Sequence, residues 1–162
     1  ACPLRRKMAG RCLRELERFR GTDVWGRIDP GLVALVEWAR SSVTAPRMAE
    51  AIDTCHTLNL ALVDLFHRVP LLLTPTCGGQ TPRIDEPGTI DGEPDVNWVQ
   101  YTYGLNMTRS PAGTVCAGFT TDGMPVGLQI VGPQHGDVVV LRLVALLEDA
   151  LALDRTAPFG AD

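Results

Sequence analysis

Two short apolar runs joined by an Asp-Gly turn constrain the fold of this chain more than any other feature. The runs are residues 113–119 and Pro125–Val131, and Asp122 and Gly123 lie in the turn between them. Asp-Gly between two apolar runs is typical of a β-hairpin. Because both faces of each run are apolar, the pattern predicts two interior strands rather than strands at the edge of a sheet.

Helical patterns flank this hairpin on both sides. A helix is predicted from Pro3 until Gly21 ends it, a long helix covers residues 44–66, and the apolar run at residues 69–73 predicts a further strand. Three more helices are predicted, each beginning after an aspartate that serves as its N-cap: Asp29, Asp95 and Asp137. This alternation predicts an α/β fold in which helices flank a mixed β-sheet core.

The length of 162 residues predicts a single domain, residues 1–162. Within it, residues 1–26 form a basic helix and linker of uncertain assignment, because seven of the 15 Lys and Arg residues fall in the first twenty positions. Residues 80–95 are rich in Pro, Gly, Asp and Glu without periodicity, which predicts an exposed loop. A loop of this length is uncommon unless it is functional or mobile.

The charge balance argues against several classes of partner. A net charge of −4 with 21% charged residues does not suggest nucleic acid as a partner. We find no apolar run long enough to span a membrane and no signal peptide, so we expect a soluble, cytoplasmic protein without a membrane partner. The five cysteines, including Cys2, show no CxxC spacing. This favours reduced, mostly buried thiols over disulfides or a metal site, and we expect no cofactor.

Two blocks of sequence together resemble the amidase signature family. One is the run LLLTPT at residues 71–76. The other corresponds to a family segment Asn-x-Thr-Gly-x-Pro-Ala, a strand ending in Gly-Phe, an Asp-Gly-Leu-Pro turn and Val-Gly-Leu-Gln. The matching residues here are Asn106, Thr108, Pro111, Ala112, Gly118, Phe119, Asp122, Gly123 and Pro125 to Gln129. The resemblance covers roughly Arg27 to Phe159 and implies the C-terminal part of the amidase signature fold.

The resemblance also shows which catalytic groups this sequence lacks. The family hydrolyses amides with a Gly-Gly-Ser-Ser-Gly-Gly-Ser motif and a lysine that precedes it. Here the adjacent serines Ser41 and Ser42 have no glycine neighbours, and Lys7, in the arginine-rich helix, is the only lysine. We therefore assign no catalytic residue and expect this chain to be inactive alone, as the C-terminal fragment of a larger amidase. We also expect it to form a homo-oligomer through exposed strand edges.

By the same resemblance, the chain contributes to the pocket for a small-molecule amide. The predicted substrate-binding residues lie at the end of the first block, in the segment before the second block, or at the start of the second block: Thr74, Pro75, Trp98, Tyr101 and Asn106. Trp98 and Tyr101 are equally consistent with ordinary helix packing. No carboxylate lies between Asp95 and Asn106, where the A subunit of tRNA-dependent amidotransferases usually has one. An amidase for an apolar or aromatic amide is therefore the preferred prediction, with that subunit as an alternative.

Other interpretations remain open at this point. The basic first helix could dock an acidic partner, which would make the chain a non-enzymatic interaction module derived from an amidase. Cys77 before Gly78 and Gly79 could act with His56 or His67, although nothing in the sequence brings them together, and a solvated loop is preferred. Arg109 occupies the position of the family's glycine, where a tight backbone is usual.

Overall fold

We describe the protein from a computed structural model, which covers residues 3–84 and 86–153. Cys2, which was predicted to be a reduced thiol, lies outside these residues. The chain divides into two compact units, one ending at Leu60 and one beginning at Ala61, which are described separately. None of the helices in the described residues is both long and apolar enough to cross a membrane.

The first unit is helical. Helix α1 is Pro3–Leu16, helix α2 is Pro30–Ser42, and helix α3 is Ala45–Phe66, which continues past Leu60 into the second unit. The Asp29 carboxylate accepts a hydrogen bond from the Leu32 amide at 3.0 Å, which confirms the predicted N-cap of α2. The buried residues of this unit are Ala9, Val36, Ala39, Ala51 and Cys55.

The second unit contains a sheet with helices. Three strands pair antiparallel in the order β1-β5-β4, and β2 pairs with β3 as a separate small hairpin. The elements are β1 Leu72–Pro75, β2 Thr89–Ile90, β3 Glu93–Pro94, a short 3-10 helix Val96–Val99, α4 Gln100–Thr108, β4 Ala112–Phe119, β5 Pro125–Val131 and α5 Asp137–Leu151. The α/β class is therefore confirmed.

One face of the three-stranded sheet is covered by α5. Val115 and Ile130 are buried there against Val140, and leucines of the sheet and α5 surround this cluster. A Cβ at Gly113 would lie 2.6 Å from Val144, so a side chain at that position would collide with the helix. The apolar residues of the hairpin thus supply the core, as their pattern predicts.

Strand β1 begins later than the sequence predicts. The expected strand was residues 69–73, but the amides of His67 and Val69 still make helix-like bonds to Val63 and Leu65. Pro70 has no amide proton to donate, so pairing starts at Leu72. As a result Thr74 and Pro75, which lie beyond the predicted strand, belong to β1.

Two further predictions are corrected. Strand β4 is not interior: among the described residues it pairs only with β5 and lies at the edge, and Thr114 and Ala117 are exposed. Asp137 does not cap α5 with its side chain, because it is the first helical residue and Gly136 holds the cap position. The Asp137 carboxylate instead lies in the first turn of α5, where its negative charge interacts favourably with the positive end of the helix dipole.

Residues 80–95 contain more structure than an exposed loop. The β2–β3 hairpin turns at Asp91 and Gly92, whose φ angles are 52° and 84°. Two consecutive positive φ angles are the signature of a type I′ turn, for which Asp-Gly is a preferred sequence. Gly88 is buried, and Thr89 also forms a bridge with Gln80. The segment is therefore anchored to the loop after β1.

Candidate functional site

The sheet face opposite α5 carries polar side chains in two rows that cross all three strands. The strand register places Thr74, Gln129 and Thr114 side by side. The next row contains Gly127 and Cys116, which are paired, and Thr76, whose amide donates to the Gly127 carbonyl at 2.9 Å. Since opposed residues of paired strands point to the same face, this polar surface follows from the register.

Gln129 lies at the centre of this face and is 5% exposed. Its Nε2 donates to the Thr74 hydroxyl at 3.0 Å and to the Tyr101 carbonyl at 3.2 Å. A buried amide is stable only when it is hydrogen-bonded, and here its two donors connect β1 and α4 to β5. The sequence analysis named Gln129 only as a residue that matches the family. A single amide side chain inside an apolar strand also indicates a buried hydrogen-bonding role.

A cavity of about 440 Å³ is lined by Thr114, the strand partner of Gln129. Gly127 also lines it, and a Cβ there would lie 2.6 Å from the Thr76 hydroxyl oxygen, so a side chain at this position would collide with Thr76. The hydroxyl oxygens of Thr76 and Thr114 are 3.5 Å apart across this notch. The lining combines hydroxyl and thiol groups with apolar side chains, and includes Pro75, Cys77, Cys116, Met124 and Val126.

Asp122 brings a negative charge to the rim of the cavity. A hydrogen bond from the Thr120 hydroxyl, followed by one from the Asp122 backbone, holds the pKa of the Asp122 carboxyl below its usual value. The residues that line the cavity include this carboxylate and no Lys or Arg. The cavity therefore suits a neutral ligand better than an anion.

Trp98 and Tyr101 pack on a set of glycines. The Gly78 amide donates to the Trp98 carbonyl at 2.6 Å, and the Tyr101 ring lies 3.5 Å from where a Gly78 Cβ would stand. A Cβ at Gly88 would overlap the Trp98 ring, and one at Gly79 would overlap the Thr89 carbonyl. The expected solvated loop at Gly78 and Gly79 is therefore wrong, because this loop is packed between the hairpin and the aromatic residues.

The structure brings together some of the five predicted substrate-binding residues. Thr74 and Tyr101 meet through Gln129, and Pro75 lines the cavity. Trp98 is half-buried against the glycines, so it has a packing role in addition to the predicted one. Asn106 is exposed near the end of α4, and within the described residues no hydrogen bond joins it to the other four.

No alternative catalytic site is assembled in the described part of the chain. Cys77 is partly exposed and makes no hydrogen bond to His67 there. The thiol of Cys116 instead donates to the Gly118 carbonyl at 3.2 Å. In residues 3–84 and 86–153, no group of three or more His, Cys, Asp or Glu side chains is placed to hold a metal ion.

Comparison with known proteins assigns this chain to a family. The profile of the family described as Amidase matches residues 35–141, about two thirds of this chain. The chain belongs to the amidase family. The matched region contains the polar sheet face, the cavity and all five predicted substrate-binding residues.

The family relatives are much longer than this chain. An acylamidase of Rhodococcus erythropolis is 40% identical over 84 residues, which are 48% of this chain and 17% of the relative. A 2-amino-5-chloromuconic acid deaminase of Comamonas testosteroni is 31% identical over 135 residues, 78% of this chain and 29% of that protein. The chain thus spans less than a third of either relative.

Solved structures of amidase signature enzymes share the fold. A bacterial aryl acylamidase of this family is similar with a TM-score of 0.74 and 26% identity, over 90% of this chain and 32% of its own. A 6-aminohexanoate cyclic dimer hydrolase is similar with a TM-score of 0.67 and 26% identity, over 91% of this chain and 34% of its own. These likenesses confirm the predicted amidase signature fold.

Proposed function

We propose that this chain is the substrate-facing, C-terminal part of an amide hydrolase whose nucleophile lies outside these 162 residues. The observation that carries the proposal is the Gln129 bridge, which holds Thr74 and the aromatic segment around Tyr101 together beside an open cavity. The amidase profile covers this whole arrangement. A partly apolar cavity whose lining contains no Lys or Arg suits an uncharged amide better than an anion.

The proposed reaction is hydrolysis of a carboxylic amide through a seryl intermediate. A serine oxygen attacks the amide carbonyl, the C–N bond breaks, and the amine or ammonia leaves with a proton supplied by the base system. Water then cleaves the ester to release the carboxylate. Both steps require a nucleophile, its base and oxyanion donors. In this proposal the present chain orients the substrate, and another part of the enzyme supplies those groups.

We propose an apolar or aromatic amide as the substrate class. Thr74, Pro75, Trp98, Tyr101 and Asn106 are the residues proposed to contact it. The segment from Val96 to Leu105 carries aromatic rings and no carboxylate. Two of the similar proteins, an acylamidase and an aryl acylamidase, bear names that fit this class.

An activity assay of the purified chain tests the division of roles. We expect no release of p-nitroaniline from p-nitroacetanilide, because no serine–lysine machinery is present in the sequence. A purified aryl acylamidase of the family serves as the positive control. Hydrolysis that is lost on substituting a residue of this chain, such as Cys77→Ala, would overturn the proposed division.

The tRNA-dependent amidotransferase A subunit is a weaker candidate. Such a subunit from Protochlamydia amoebophila is 41% identical, but only over 58 residues, which are 36% of this chain. The absence of a carboxylate between Asp95 and Asn106 leaves no group in that segment to hold an amino group. The general amidase is therefore preferred.

The first unit gives little support to a basic docking surface. Several of its cations already have partners within the unit: Arg6 pairs with Glu50 at 2.9 Å, and Arg20 contacts Glu17 at 3.0 Å. The guanidinium of Arg5 stacks over Trp38 with a centroid distance of 5.3 Å. Because these cations stabilise the helices, the amidase interpretation is preferred over an interaction module.

We also propose a cytoplasmic location for this protein. In the part of the chain that the structure describes, Cys12, Cys55, Cys77 and Cys116 are free thiols. Only Cys55 is buried, so the prediction of mostly buried thiols is wrong for these four. Unpaired, partly exposed thiols suit a reducing compartment.

A further inference from the structure

Helix α4 is held at its two ends by two glutamine amides from the same stretch of chain. At its start, Gln129 Nε2 donates to the Tyr101 carbonyl at 3.2 Å. At its end, Gln134 Nε2 donates to the Thr108 carbonyl at 3.3 Å. Strand β5 and the turn after it therefore provide both attachments, but only Gln129 also contacts the strand that carries Thr74.

These hydrogen bonds add to the contact between the start of α4 and the loop after β1, where the Tyr101 ring lies 3.5 Å from the position of a Gly78 Cβ. The short 3-10 helix before α4 carries Trp98, and the Thr102 hydroxyl bonds back to the Val99 carbonyl at 2.8 Å. The two helices thus form one continuous aromatic segment, residues 96–108. Its first half is attached to the central strand through Gln129.

We infer that Gln129 is a positioning residue, which fixes the aromatic segment relative to Thr74 and thereby sets the distance between Thr74 and the aromatic side chains proposed to contact the amide. This inference rests on the proposed function, and assigns a role to a residue that would not itself touch the substrate. A leucine at this position keeps the apolar bulk but donates no hydrogen bond. The Tyr101 carbonyl then loses its hydrogen bond to the sheet, and the start of α4 keeps only its contacts with the loop after β1.

Hydrogen exchange and fluorine NMR of the 162-residue chain test this directly. In Gln129→Leu, amide exchange in residues 98–105 rises about fivefold to tenfold, as expected for loss of one buried hydrogen bond, while β4 and β5 keep their protection. With 5-fluorotryptophan labelling, the Trp98 resonance shifts and those of Trp25 and Trp38 stay in place. Loss of stability alone would not move a native resonance.

Two further variants make the outcome decisive. Gln134→Leu is the matched control: it affects exchange only near Thr108 and leaves the Trp98 resonance unchanged. Thr74→Val removes one acceptor of Gln129, keeps the shape of the side chain, and shifts the Trp98 resonance in the same direction as Gln129→Leu. An unshifted Trp98 resonance in both Gln129→Leu and Thr74→Val, or uniformly faster exchange, overturns the inference. Because neither readout needs catalysis, failure of the proposed function would show separately, in the amidase assay.

Discussion

Arg109 adopts a backbone conformation that favours glycine, the residue that the amidase family has at this position. It follows the last residue of α4 with φ 60° and ψ 19°, the left-handed region. There a Cβ is strained, although glycine also gains entropy in the unfolded chain. We predict that Arg109→Gly raises the free energy of unfolding by about 0.5–1 kcal/mol, measured by urea denaturation. Arg109→Ala removes the charge but keeps the Cβ, and equal stability of the two variants would contradict the strain.

A second residue-level prediction concerns Asp122. The Thr120 hydroxyl lowers the pKa of this carboxyl in the folded state, so Thr120→Val moves that pKa up toward its usual value. Since the folded pKa is below the unfolded one, the hydrogen bond stabilises the turn above the unfolded pKa. That contribution disappears as the pH falls through the folded pKa. An NMR titration of the Asp122 carboxyl carbon measures this pKa in the unmodified chain and in Thr120→Val. Identical titration midpoints in the two proteins would exclude a contribution of Thr120 to the pKa.

Among the elements, the β2–β3 hairpin depends on a glycine that permits close packing. A Cβ at Gly79 would overlap the Thr89 carbonyl, so Gly79→Ala forces the hairpin away from the loop after β1. We predict a loss of about 1–3 kcal/mol in the free energy of unfolding. Gly26→Ala is the control, because no atom lies within 4 Å of its added Cβ. Thermal melts measure the loss of stability in both variants. Equal losses in Gly79→Ala and Gly26→Ala would show that the close approach of Gly79 to Thr89 does not contribute to stability.

The hairpin and the polar face show where sequence reasoning succeeds and fails. The β4–β5 hairpin was predictable because its apolar runs are long and its turn is Asp-Gly. The β2–β3 hairpin has the same dipeptide at Asp91–Gly92. Its strands have only two residues each, too few to show an alternation of apolar and polar residues, so the turn dipeptide was the only sequence signal for this hairpin. Thr74 was predicted through the family resemblance. Gln129 was missed because its partners depend on strand register, which local sequence does not contain.

At the scale of the whole molecule, large apolar side chains remain on the surface of the second unit. On α5, Val138, Leu141 and Leu146 are 59%, 64% and 63% exposed, and Phe119 on the edge strand β4 is 50% exposed. Exposed apolar surface and an open strand edge both promote association. We predict that the chain forms a homodimer or higher oligomer at micromolar concentration.

Light scattering measures this state directly. The double variant Leu141→Glu and Leu146→Glu should shift the population toward monomer, because it places charges on the outer face of α5. Leu32→Glu is the matched control in the first unit, where the replaced leucine is 41% exposed. A monomeric unmodified chain would contradict the prediction, as would equal effects of the control and the double variant.

Covalent labelling of the native protein locates the nucleophile of the proposed amide hydrolase. An antibody against this chain isolates the endogenous polypeptide, a fluorophosphonate probe labels its nucleophilic serine, and peptide mass spectrometry locates the label. We predict a labelled serine outside the 162 residues of this chain, in a polypeptide heavier than 17.5 kDa or in a separate partner chain. A label on Ser41, Ser42 or Ser110, or amide hydrolysis by the 17.5 kDa chain alone, would contradict it.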